Sequence, residues 1–145
     1  MSGGFSQISS LLISSDKWRL YIGDCRRGCV YAATIEKDGS LSGIYCHGTL
    51  HLKNDFSVPG ALDLCVDSED RLYVATEIGI QTVRSFGLID VILVNPDGKT
   101  ANKIEISSDG YLYAMTVDGV YRRKLKDKKP SNEEQSEPVH SSYYN

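Results

Sequence analysis

One pattern occurs three times along this chain. Ile13-Ser14-Ser15-Asp16-Lys17-Trp18-Arg19-Leu20-Tyr21-Ile22-Gly23-Asp24 returns as Val66-Asp67-Ser68-Glu69-Asp70-Arg71-Leu72-Tyr73-Val74-Ala75-Thr76, and again as Ile106-Ser107-Ser108-Asp109-Gly110-Tyr111-Leu112-Tyr113-Ala114-Met115-Thr116. Each copy reads as the end of an apolar strand, an acidic turn, and a Leu-Tyr pair opening a second strand. The Leu-Tyr pairs lie 52 and then 40 residues apart, a spacing typical of four-stranded propeller blades (roughly 40–50 residues). A chain built this way buries its apolar faces by stacking one repeat on the next, which excludes most other folds.

Apolar alternation and β-branched residues run from Leu11 to Leu125, with no sustained helical period. The spacing predicts strands at 10–14, 19–24, 29–36 and 43–52 in the first repeat, and at 61–66, 71–76, 79–84 and 88–94 in the second. The third has only three, at 102–107, 111–116 and 119–125. Asp38-Gly39 is the best hairpin signal, because both residue types tolerate positive φ. Asn95-Pro96-Asp97-Gly98 breaks the chain before the third repeat. Residues 1–8 read as a frayed N-terminal segment, 9–125 as the folded domain (repeats 9–52, 61–94 and 101–125), and 126–145 as a flexible polar tail. The expected fold is therefore all-β: a partial β-propeller of 4, 4 and 3 strands. Propellers close with at least four blades, so three blades form half of a six-bladed ring. The partner half is expected from self-association or from a missing part of the propeller.

The 145 residues suffice for one core, and a net charge of −3 gives no reason to expect nucleic acid. The basic run Arg122–Lys129 reads as a solvated strand end guarding an open sheet edge. No apolar stretch approaches the roughly 20 residues that cross a bilayer, and Met1–Ser15 has no signal-peptide pattern. The cellular location stays open, with a soluble, cytoplasmic chain as the expectation and no membrane partner. Cys25, Cys29, Cys46 and Cys65 are expected to be reduced.

Three stretches carry a family resemblance. Ser14-Ser15-Asp16 with Leu20-Tyr21-Ile22-Gly23-Asp24 resembles the Ser-Pro-Asp…Leu-Tyr-Val-Ala-Asp blade opening of the gluconolactonase/senescence-marker-protein/regucalcin-like family. Pro59–Thr76 is similar to its Pro-Asp-Gly-x-x-Val-Asp-x-Glu-Gly-x-Leu-x-Val-Ala stretch, and Ile78-Gly79-Ile80-Gln81 and Asp118–Leu125 to its later strands. The order is that of the family's C-terminal half, over residues 8–126. The resemblance implies a six-bladed propeller that hydrolyses sugar lactones, with a divalent cation of calcium or zinc type polarising the lactone carbonyl. It also implies cation ligands: a glutamate from the first blade, an asparagine and an aspartate. The asparagine position, seven residues before Asp16, is Ser9 here; the aspartate position, five before Asp67, is Leu62. Asp63 stands one residue late, on the alternate face of the strand, and needs a bulge to aim at the channel. Asp63 is thus the single candidate metal ligand, in a degraded site. The resemblance points to a metal-dependent lactone hydrolase; the alternatives are a non-catalytic propeller portion for binding or assembly, or a non-functional fragment.

Other constellations read as structural. Cys25-x3-Cys29 and His47-x3-His51 invite zinc, but positions four apart in a strand lie roughly 13 Å apart. Structural cysteines and surface histidines are the expectation. No Gly-x-Ser-x-Gly elbow is present, and His140 lies in the tail. Asp16, Asp67, Glu69, Asp70 and Asp109 read as caps of turn amides. Asp24 reads as a structural hydrogen-bonding group at the end of its strand, and Tyr21, Tyr73 and Tyr113 as repeated packing between blades.

Overall fold

Each predicted strand forms. In the computed structural model, which describes residues 4–53 and 59–126, the eleven strands are β1 (Ile8–Ile13), β2 (Arg19–Asp24), β3 (Cys29–Ile35), β4 (Leu41–Thr49), β5 (Asp63–Val66), β6 (Leu72–Thr76), β7 (Gly79–Val83), β8 (Ile89–Leu93), β9 (Lys103–Ile106), β10 (Tyr111–Thr116) and β11 (Gly119–Lys124). They make three antiparallel meanders, β1-β2-β3-β4, β5-β6-β7-β8 and β9-β10-β11. These are three blades, here I, II and III, and the chain is a partial β-propeller. Helix among the described residues is a single 3-10 turn at Pro96–Gly98, and no helix is long and apolar enough to cross a membrane. The tail from 127 onward, with His140, and the first three residues lie outside the described residues.

The register repeats with the sequence. Leu12 pairs with Tyr21, Cys65 with Tyr73 and Glu105 with Tyr113 at the same place in each blade. Each inner turn is closed by the same bond: Ser14 N to Arg19 O at 3.0 Å, Asp67 N to Arg71 O at 3.1 Å, and Ser107 N to Tyr111 O at 2.9 Å. A left-handed residue follows in each, Lys17 at φ 65°, Asp70 at 57° and Gly110 at 85°. At the 38–39 hairpin only Gly39 takes positive φ, 84°. Asp38 works through its side chain, accepting Ser40 N at 2.9 Å. β4 starts earlier than its 43–52 expectation because the turn closes by Ser40, and its pairing with β3 runs out where Leu50 N donates to Gly28 O at 2.8 Å, just ahead of β3.

Period-two alternation places the core between blades. On β6, Leu72 and Val74 face blade I and join Tyr21, Val30, Ala32, Leu50, Ala61, Leu64 and Val83. Tyr73 and Ala75, between them, face blade III and join Cys65, Ile80, Ala101, Ile104, Leu112 and Ala114. Blade II is therefore apolar on both faces, and all five residues of β6 are buried. The inner strands β1, β5 and β9 stand side by side along the axis.

Three expectations are corrected. Cys29 and Cys46 form a disulfide with Cα atoms 6.0 Å apart, leaving Cys25 and Cys65 free. A bulge sets Cys29 opposite Thr49 but Tyr31 opposite Cys46, which carries the two thiols to diagonal neighbours. Second, residues 5–8 of the segment expected to fray are tied. Ser6 N and Gln7 N donate to the Asp24 carboxylate at 2.6 and 3.1 Å, the Phe5 ring packs edge-on against Tyr31 at 5.2 Å, and β1 begins at Ile8. Third, His47 is buried rather than on the surface, its ring 5.2 Å from that of Tyr21 and 6.1 Å from that of Tyr45.

Candidate functional site

The inner strands begin at one end of the axis, and there the repeat brings Ser9, Leu62 and Asn102 to equivalent positions, followed by Ser10, Asp63 and Lys103. Ser9 and Asp63 are both present at this end, and both are engaged. Ser9 Oγ lies 2.6 Å from Ala61 O and 3.2 Å from Gly23 O. A hydroxyl has one proton, so the short contact to Ala61 takes it and ties blade I to blade II. Asp63 Oδ2 accepts Ile104 N at 2.8 Å, and Lys103 Nζ lies 3.8 Å from Oδ1. Its carboxylate thus ties blade II to blade III. Leu62 is half-buried and packs against the core between blades II and III.

These donors do not fit a divalent cation. A hard ion of this kind takes six or more oxygens, with carboxylates prominent. Here the three equivalent positions offer a hydroxyl already donating, a hydrocarbon and the Asn102 amide, and the Asp63 carboxylate beside them has Oδ2 bonded to Ile104 N and Oδ1 in a loose ion pair with Lys103. Among the described residues no three His, Cys, Asp or Glu side chains come together to hold a metal. Sequence reasoning overlooked Asn102, although the offset that selects Ser9 and Leu62 also selects it, five residues before Ser107. It overlooked Glu77 too, whose Oε2 is buried without a hydrogen-bond partner among the described residues.

Asp24 is fully buried and accepts Ser6 N, Gln7 N and Arg26 N, with Arg27 Nε 3.8 Å away. It is a structural anchor. Of the turn carboxylates at the opposite end of the axis, Asp16, Asp67 and Asp109 fasten their own turns, whereas Asp70 and Glu69 do not. Asp16 accepts the Ser14 hydroxyl at 2.6 Å and Trp18 N at 3.0 Å, and the Ser14 contact chiefly holds its carboxyl below the usual range. Asp67 accepts Glu69 N and Arg71 N, both at 2.9 Å. Asp109 accepts the Ser107 hydroxyl, which lowers its carboxyl likewise. Asp70 reaches across to blade I and accepts Ser15 N at 2.9 Å. Glu69 pairs with Arg71 at 3.4 Å.

Polar grooves follow the two blade junctions. One, of about 260 Å³, holds Arg19, Arg71 and Arg84 beside Tyr21, Asp70 and Asp90. Its charges are internally matched, with Arg84 2.6 Å from Asp90. The other, of about 480 Å³, runs between Tyr73 and the Ser107–Gly110 turn. Tyr21 and Tyr73 are buried in the blade interfaces, while Tyr113, at the same position in blade III, is only partly covered. Burial, then the Asp67 carboxylate 3.1 Å away, pushes the Tyr73 phenol up to about 12. The zinc grouping does not assemble, since Cys29 is bonded to Cys46 and His47 is buried. Burial lowers the His47 imidazole below its usual range. His51 is exposed, its backbone clamped by the Gln81 amide at 2.9 and 2.6 Å.

No protein-family model matches the chain, and no curated protein sequence does. Solved structures with a similar fold include a luciferin-regenerating enzyme, with a TM-score of 0.60 and 19% identity over 77% of this chain and 38% of that one. A gluconolactonase from Xanthomonas campestris gives 0.58 and 18%, over 75% of this chain and 34% of its own. Virginiamycin B lyase from Staphylococcus aureus gives 0.54 and 16%, over 88% and 44%. The chain spans less than half the length of each. At these identities the likeness is one of fold, and it agrees with a partial propeller.

Proposed function

We propose that this chain is half of a gluconolactonase-like propeller that serves ligand binding or assembly, and does not hydrolyse lactones at a metal of its own. One observation carries this reading. At the strand starts where the resemblance calls for cation ligands, the Ser9 hydroxyl is spent on Ala61 O and Oδ2 of Asp63 on Ile104 N of the neighbouring blades, and Leu62 offers no polar atom. One serine hydroxyl that is already donating and one carboxylate make a poor set for a hard ion, which takes six or more oxygens.

The second reading, a metal-dependent sugar-lactone hydrolase, is favoured by the likeness to the Xanthomonas campestris gluconolactonase. It would keep Asp63 as a cation ligand at the strand starts. Calorimetric titration of the purified chain with Ca²⁺ and Zn²⁺, paired with a gluconolactone hydrolysis assay, separates the two. The expected outcome is no saturable cation binding and hydrolysis at the buffer rate. Saturable binding together with hydrolysis, both lost in Asp63→Asn, would reinstate the hydrolase.

A further inference from the structure

The two end faces of this half-ring repeat its internal joints. Leu11, Leu64 and Ile104 occupy one position in the three inner strands, paired with Ile22, Val74 and Ala114. Leu64 and Ile104 are each 5% exposed because a preceding blade covers them, whereas Leu11 is 61% exposed. The opposite face behaves the same way. Val30, Ile80 and Val120 share a position, paired with Gly23, Ala75 and Met115. Val30 and Ile80 are 0% exposed beneath the following blade, and Val120 is 67% exposed. On the blade I face Phe5 covers Tyr31, and Ile22 and Ala33 on the middle strands are buried, but Leu11 and Ile13 on its inner strand stay open.

We propose that a second copy of this chain closes the ring, with blade I of each copy packed against blade III of the other. The inference rests on the fold and not on the proposed function. The chain already forms this joint twice, and its two open faces keep the apolar residues of that joint at Leu11 and Val120. A second copy satisfies both faces at once. Ring closure also selects two copies: propellers have typically four to eight blades, and three-bladed units supply six as a pair and nine as a trio. The contact is head-to-tail, and it ends because the rotation closes. At the position of Leu12 and Cys65 the blade III face carries Glu105, and at that of Ala32 and Thr82 it carries Arg122, so the closing seam is more polar than the internal ones and dissociates more readily.

The test is the mass of the full chain by light scattering after size exclusion, across a concentration series. A species of twice the 16.0 kDa chain mass is expected. Leu11→Asp and Val120→Asp alter exposed residues, so circular dichroism should stay native while each weakens association on the order of tenfold or more. An equimolar mixture of the two variants should pair more tightly than either alone, because one of its two seams is unaltered. A monomer, including one that pairs only when another protein's blades are added, overturns the proposal. So does an open-ended ladder of sizes, or a dimer indifferent to Val120→Asp.

Discussion

Tyr73 shows how much a single buried group can report. Its hydroxyl donates to Asp67 at 3.1 Å from a blade interface, and its raised pKa of about 12 compares with an ordinary 10.0. A group whose folded pKa is raised contributes stability that is intact below its unfolded pKa and lost as pH rises through the folded one. Alkaline unfolding should therefore steepen between about pH 10 and 12. In Tyr73→Phe, urea midpoints measured across that window should decline less, and an unchanged slope would refute the assignment. The roles of Asp16, Asp67 and Asp109 were legible in the sequence, because an Asx-type cap reaches only a few residues along the chain. Those of Ser9 and Asp63 were not. Their partners, Ala61 and Ile104, are 52 and 41 residues away, and only the register between blades brings them together.

At the scale of elements, the β3–β4 hairpin is the most heavily fastened. Its disulfide closes a span of 17 residues, and in the chain-entropy account a loop of that size contributes about 3 kcal/mol. Chemical unfolding with and without reductant, checked against the Cys29→Ala/Cys46→Ala double variant, should show a loss of about that size. A loss below about 1 kcal/mol would mean the hairpin is held by its strand pairing alone. The thiol pairing was hidden from sequence reasoning because the bulge between Val30 and Tyr31 sets it. Strand positions were visible because alternation and turn residues are local signals. The last strand carries the opposite character. Among the described residues no strand pairs with the outer side of β11, and that edge bears Arg122, Arg123 and Lys124. Arg122 and Lys124 stack on the Tyr111 ring at 4.8 and 4.7 Å. Bulky cations on an open edge discourage further strand addition.

In the whole molecule, blades meet at points where no side chain fits. Gly87, in the β7–β8 turn of blade II at φ 85°, lies so close to blade I that a Cβ would collide with His47 O. Gly87→Ala combines a left-handed strain with that clash, so a loss of about 2–4 kcal/mol is expected in urea titrations; a loss under 0.5 kcal/mol would mean the junction yields. The blade count was readable from the repeat, and the incomplete ring followed from it. The pairing of faces was not, since equal apolar residues such as Ile80 and Val120 look alike until one is covered and the other is not. That equivalence has a bearing on ancestry. A protein whose ends reproduce its own joints can lengthen by duplicating a repeat, or shorten by deleting one, without any new surface having to arise. Such chains would be expected to vary among descendants in whole repeats, with change between repeats tolerated mainly where no seam crosses.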